Sequence, residues 1–371
     1  MAGPLAGIRI VEFAGIGPGP FCGMMLADHG AEVIRIDRPG ARLDHRDALA
    51  RSRRSIILDL KQPEAITAAR DLCRTADGTI EGYRPGVMER LGLGPDILLA
   101  DNPRLVFGRM TGWGQFGSYA QAAGHDINYI ALSGVLHTIG RVGERPVPPV
   151  NYIGDFGGGG MMLAFGMVAA LLSVKSGGTG QVIDCAMTDG SALLAAMTYS
   201  AYARGLHQDI AGVNRLDGGA HFYDTYECAD GRFVSIGSIE PQFYALLREH
   251  AGIAADPAFD AQLDEAGWPA LKLRLAAVFK ARTRDEWCAV MEASDVCFAP
   301  VLSLTEAPQH PHNAERGTFI EVGGAVQPAP APRYSGTVTA VPVAAPAAGA
   351  DTGAILRELD YDEDRIVRLR A

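Results

Sequence analysis

The stretch Ile8-Arg9-Ile10-Val11-Glu12-Phe13-Ala14-Gly15-Ile16-Gly17-Pro18-Gly19-Pro20, read with Glu32-Val33-Ile34-Arg35-Ile36 downstream, decides the fold class. An apolar, β-rich run enters a Gly/Pro-rich loop. A helix is predicted over 20–30, and a second strand follows. Strand, helix and strand within about thirty residues make a βαβ unit, whose crossover sets the strands parallel. The alternation continues with strands predicted at 56–60, 79–80, 105–110 and 181–186 and a helix at 64–75. Such a series predicts a Rossmann-like α/β domain: a mostly parallel sheet with helices on both faces.

Beyond residue 187 the pattern changes. A helix over 188–203 leads into an irregular stretch, 205–220, and then a hairpin over 221–227 and 233–237 around the turn dipeptide Asp230-Gly231. Helices are predicted at 241–251, 268–281 and 284–293, which describes a smaller α+β domain. The Pro-rich 327–333 and the Ala/Pro tract 341–348 read as extended linker. The expected division is a large domain over 1–187, a linker over 188–220, a small domain over 221–305, and a return linker with C-terminal segment over 306–371 that packs on the large domain.

A chain of 371 residues with 48% apolar residues fits two globular domains. Its net charge of -10 argues against a nucleic-acid partner, because phosphate neutralisation needs clustered cations. The six cysteines are scattered with no C-x-x-C pair, as suits reduced thiols and neither a disulfide frame nor a metal site. No secretory leader is read at the N-terminus and no peroxisomal tripeptide at the C-terminus. The longest apolar run, near 161–174, is read as a buried helix, too short for a membrane span.

Gly15 and Gly17 after the first strand, with Asp37 about twenty residues on, invite a dinucleotide reading. The third glycine position holds Pro20, however, and Pro18 and Pro20 have no N–H for a pyrophosphate. Basic residues recur at the strand ends: Arg38, Lys61, Arg84, then Arg90. Together they form a cationic rim suited to a ligand with several phosphates, since Arg pairs with phosphate through parallel hydrogen bonds. His125 stands in Gly124-His125-Asp126-Ile127-Asn128-Tyr129, where a histidine is either structural or a base. Asp155 opens Gly154-Asp155-Phe156-Gly157-Gly158-Gly159-Gly160 before an apolar helix. It reads as an N-cap with glycines allowing close packing, or as a carboxylate beside bare N–H groups facing an oxyanion. Glu240, just ahead of Pro241, complements a helix dipole on the simplest reading.

In this order the segments resemble the class III CoA-transferase family across nearly the whole chain. The resemblance rests on Ala14–Pro20, Arg35-Ile36-Asp37-Arg38-Pro39, Leu58-Asp59-Leu60-Lys61, Glu81-Gly82-Tyr83-Arg84-Pro85-Gly86, Arg109–Gln115, Gly124–Tyr129 and Asp155–Gly160. Within the family the chain is similar to the bacterial α-methylacyl-CoA racemases, which share the His125, Asp155 and Ile239-Glu240-Pro241-Gln242-Phe243 segments. Transferases use the aspartate matching Asp155 as a nucleophile and lack a histidine matching His125. Some of them also close a mobile glycine run where this chain has Ser238-Ile239-Glu240-Pro241.

The resemblance implies proton transfer at C2 of a 2-methylacyl-CoA by His125 and Asp155, with Glu240 orienting the imidazole. The N–H groups of Asp155–Gly158 are expected to face the enolate. CoA is expected against Ile16, Arg38, Leu58, Asp59, Leu60, Lys61, Gly82, Tyr83, Arg84 and Arg90, with Gly124, Asp126, Ile127, Asn128 and Tyr129 lining the substrate. Met187, Leu193, Leu194 and Met197 offer an acyl surface or plain core packing. No metal and no cofactor beyond the substrate's own CoA is expected. The family's members are interlocked homodimers, and a bacterial cytoplasmic location is implied. The alternatives are CoA transfer through Asp155, or a non-catalytic CoA- or dinucleotide-binding protein.

Overall fold

Strands β1 (Arg9–Phe13), β2 (Glu32–Asp37), β3 (Arg53–Ile57), β4 (Gly78–Glu81), β5 (Val106–Thr111) and β6 (Gln181–Ala186) build one parallel sheet in the computed structural model of the protein. Their order is β3-β2-β1-β4-β5-β6. The structure describes residues 2–370, so the outermost bounds expected for the first and last segments, Met1 and Ala371, lie outside it. The sheet bears out the α/β reading.

Side-chain alternation sorts the core into two layers. Ile10, Val33 and Val106 face α1 (Pro18–Asp28) and the helix over Met162–Lys175. Val11, Phe13, Ile34, Ile36 and Phe107 face α2 (Pro63–Arg74) and the C-terminal helix Thr352–Glu358, which contributes Ile355 and Leu356. Strand β3 starts three residues earlier than the apolar run 56–60 suggested. The reason is a buried charge network: Glu12 accepts from Arg53 Nε and Arg35 Nη1, each at 3.0 Å, and Arg35 Nε reaches Asp37 at 2.9 Å. Arg53 Nη2 also donates to the Pro20 carbonyl at 2.8 Å, pinning the start of α1. Paired in this way, charged residues are tolerated inside the sheet.

The chain divides into two compact units. The first holds residues up to Ser133, Pro149–Ala195 and the segment from Pro311 onward; the second holds Gly134–Pro148 and Ala196–His310. Gly134–Pro148 departs from the contiguous division read from sequence. It is held in the second unit by Arg141 on Asp224 (2.6 Å) and His137 on Asp209 (3.1 Å), contacts with no local signature. The helix expected over 188–203 is two helices, Met187–Leu194 and Ala196–Ala203, broken at Ala195.

In the second unit, β7 (Tyr223–Glu227), β8 (Phe233–Gly237) and β9 (Phe298–Pro300) form an antiparallel sheet over an aromatic core that includes Trp268 and Trp287. His221 is fully buried there, its Nε2 2.8 Å from the Tyr244 hydroxyl. That hydroxyl donates onward to the Phe259 carbonyl, so Nε2 carries the proton and Nδ1 is left without a partner. Burial holds the imidazole down to about 4, so the fold favours the neutral ring. The stability this contributes is present above about pH 6.5 and is lost as pH falls toward 4. Urea midpoints measured at pH 7 and pH 4.5 are expected to fall less in His221→Asn than in wild type. Equal slopes would show that the ring does not couple to folding.

Candidate active site

Strands β1 and β4 are neighbours at the point where the strand order reverses, the place where sheets of this kind bind ligands. A cavity of about 670 Å³ opens there. Its walls come from the Gly15–Pro20 loop after β1, Glu81–Pro85 after β4, Thr111–Trp113 after β5, and the segments bearing His125 and Asp155. Ile16, Gly82, Tyr83, Arg84, Gly124 and Tyr129 line it, together with both expected acid/base residues. Ile16 is 84% exposed, an apolar surface in want of cover.

His125 immediately precedes the helix Asp126–Leu132 and is exposed. Its backbone N–H donates to Asn128 Oδ1 at 3.1 Å, which commits Asn128 to capping. The Tyr129 hydroxyl donates to the Gly124 carbonyl, and its ring packs edge-on against Trp113 at 4.8 Å. These contacts fix the backbone on both sides of His125 and leave the imidazole facing the cavity.

Asp155 lies inside a helical run, not ahead of one. Wide, π-type turns span Tyr152–Met161 and continue as the α-helix Met162–Lys175. Such turns recur at functional sites. Asn151 Nδ2 donates to Asp155 Oδ2 at 2.9 Å. Gly17, with φ +64°, brings the β1 loop so close that a Cβ there would sit 3.2 Å from the same oxygen. The glycines serve packing: a Cβ on Gly190 would lie 1.8 Å from the Gly158 carbonyl oxygen.

This geometry corrects two expectations. Asp126 Oδ1 accepts the Asp155 N–H at 2.7 Å, which removes that N–H from the donors expected to face an enolate. Asp126 therefore acts on the backbone at Asp155. Burial and the neighbouring Asp155 charge hold its carboxyl above the usual range. The helix that holds the apolar run is also longer than 161–174: it spans 24 residues, Tyr152–Lys175, with Asp155 inside it, long and apolar enough to cross a membrane, and about half buried.

Of the remaining expected residues, Arg38, Lys61, Arg84 and Arg90 are exposed, and none makes an ion pair among the described residues. Leu58 is 1% exposed and packs into the core beside Phe13 and Ile56, so its side chain cannot wall a ligand. Asp59 accepts the Lys61 N–H at 3.1 Å in the turn before α2. Leu60 packs partly against the same core. Ile127 is exposed and does not line the cavity. Glu240 belongs to the second unit and stands exposed at the start of the helix Pro241–His250. Met187 lines the cavity; Leu193, Leu194 and Met197 do not. The sequence reading missed Asn151 and Trp113. Asn151 stands four residues before Asp155, a helical spacing that signals contact once the glycine run is known to be helical.

No cluster of metal-ligating side chains occurs among the described residues. Residues 5–352 match the model of CoA-transferase family III. The chain is 47% identical to mouse α-methylacyl-CoA racemase over 370 residues, 99% of this chain and 96% of that protein. It is 46% identical to the human α-methylacyl-CoA racemase over the same shares. The crystal structure of a CAIB/BAIF family protein from Brucella suis superposes with a TM-score of 0.84 at 25% identity, covering 97% of this chain and all of that one.

Proposed function

This chain belongs to CoA-transferase family III, and from that premise we propose that it is an isomerase interconverting the (R) and (S) epimers of 2-methylacyl-CoA thioesters. The observation that carries the reading is His125 and Asp155 on one cavity at the carboxyl edge of the sheet. Inverting C2 requires removal of its proton from one face and return of a proton to the other. His125 takes the proton of the (S)-epimer, the electron pair passes to the thioester oxygen as an enolate, and Asp155 protonates the opposite face. The reverse reaction exchanges the roles. The chemistry calls for no cofactor beyond the CoA of the substrate, held by Arg38, Lys61, Arg84 and Arg90.

The enzyme works as an interlocked homodimer in the cytoplasm. Met161, Phe165, Val168 and Leu172 recur at helical spacing on one exposed face of the long apolar helix, Phe165 at 74% and Leu172 at 66% exposure. A second copy of the chain covers this face, in place of lipid. Six unpaired cysteines fit a reducing compartment.

The test incubates the enzyme in heavy water with a panel of 2-methylacyl-CoA thioesters and a labelled free carboxylic acid. Deuterium is expected at C2 of both epimers with no label entering the thioester pool. Label transfer would assign Asp155 the nucleophile's role and make the protein a CoA-transferase. Acyl-CoA binding with neither outcome would make it a binding protein.

A further inference from the structure

Arg84 and Arg90 sit on two short segments, the loop after β4 and the helix Val87–Arg90, and both segments are tied to one buried arginine. Glu81, fully buried at the end of β4, faces Arg109 across the β4–β5 register. Its Oε1 accepts Arg109 Nε at 2.9 Å, and its Oε2 turns back to accept the Tyr83 N–H at 2.7 Å. The other side of the guanidinium donates to both oxygens of Glu89, at 2.7 and 3.3 Å. Glu89 is the residue beside Arg90.

Two carboxylates on one guanidinium leave this chain net negative, so it is no anion site itself. Arg109 holds both oxygens of the Glu89 carboxylate, and neither Arg84 nor Arg90 makes an ion pair among the described residues. From this we infer that Glu81, Arg109 and Glu89 are positioning residues for the nucleotide half of the substrate: they set the loop and helix that present Arg84 and Arg90, and keep those cations available to phosphate. The inference rests on the acyl-CoA reading above and extends it to residues that touch no reacting atom.

Glu89→Gln is the main probe, because Glu89 sits on a surface helix with its side chain 44% exposed; Arg109→Lys is the second. Each is assayed with a 2-methylacyl-CoA and with the N-acetylcysteamine thioester of the same acid, which lacks the nucleotide. For acyl-CoA, KM is expected to rise roughly tenfold, the scale of one charge-assisted hydrogen bond, with kcat within about twofold of wild type. For the truncated thioester, kcat/KM is expected to match wild type. Equal losses on both substrates, or an unchanged KM for acyl-CoA in both variants, would overturn the assignment. Calorimetric binding of free CoA separates this from the racemase reading. Weakened CoA binding in Glu89→Gln supports the network even if wild type exchanges no C2 proton, whereas CoA binding as tight as wild type's refutes it.

Discussion

Replacing His125 by alanine is expected to lower racemisation by about 10²–10⁴-fold, the usual contribution of a positioned acid/base group. The substitution leaves the scaffold in place, because the cap at this position uses the backbone N–H of residue 125 and the side chain of Asn128. Asp155 keeps Asn151 and Asp126 as partners, and neither involves the imidazole. The (R)-epimer is therefore expected to exchange its C2 proton with deuterium slowly and with retention, since Asp155 still serves its own face. The (S)-epimer should exchange only at the residual rate of inversion. NMR of each epimer in heavy water reads both rates. A variant that still inverts C2 near the wild-type rate would remove His125 from the chemistry.

The second large effect concerns stability and lies away from the cavity. Arg51 is buried and grips Asp28 at the end of α1 through two bonds, 3.0 and 2.5 Å. The same guanidinium donates to Gln327 Oε1 at 3.2 Å and to the Pro328 carbonyl at 2.8 Å. Gln327 and Pro328 belong to the antiparallel pair Phe319–Val322 and Ala325–Pro328, so this one side chain fastens the returning C-terminal segment to the first unit. Asp28→Ala leaves the guanidinium buried without a counter-charge and is expected to cost about 3–5 kcal/mol. That is a large part of the stability of an ordinary domain, about 5–15 kcal/mol. Urea unfolding followed by tryptophan fluorescence measures it. The double replacement Asp28→Leu, Arg51→Met should recover only part of the loss, because it removes the uncompensated charge but also takes the donor from Gln327 Oε1 and the Pro328 carbonyl. A loss below about 1 kcal/mol in the single variant would mean that water reaches the guanidinium.

The first thirty-six residues alone determined the fold class, because βαβ units announce themselves through local periodicity and turn chemistry. The apolar, β-rich runs of β1, β2 and β5, the Gly/Pro loop and the spacing of strands are properties of neighbours in sequence. Motif chemistry singled out His125 and Asp155 as candidates, each with a structural alternative, and the family resemblance supplied their expected roles. The tertiary structure decided what depends on partners distant in the chain. Arg53 lies within a strand because Glu12, forty-one residues away, neutralises it. The helical positions 158–160 are glycines because Gly190, Pro18 and Phe21 crowd against them and leave no room for a Cβ. Asp126 became a backbone anchor for Asp155, and Leu58 became core, for the same reason. Burial and pairing are set by what folds against a residue, and a sequence read along its length carries no record of that until the chain has closed on itself.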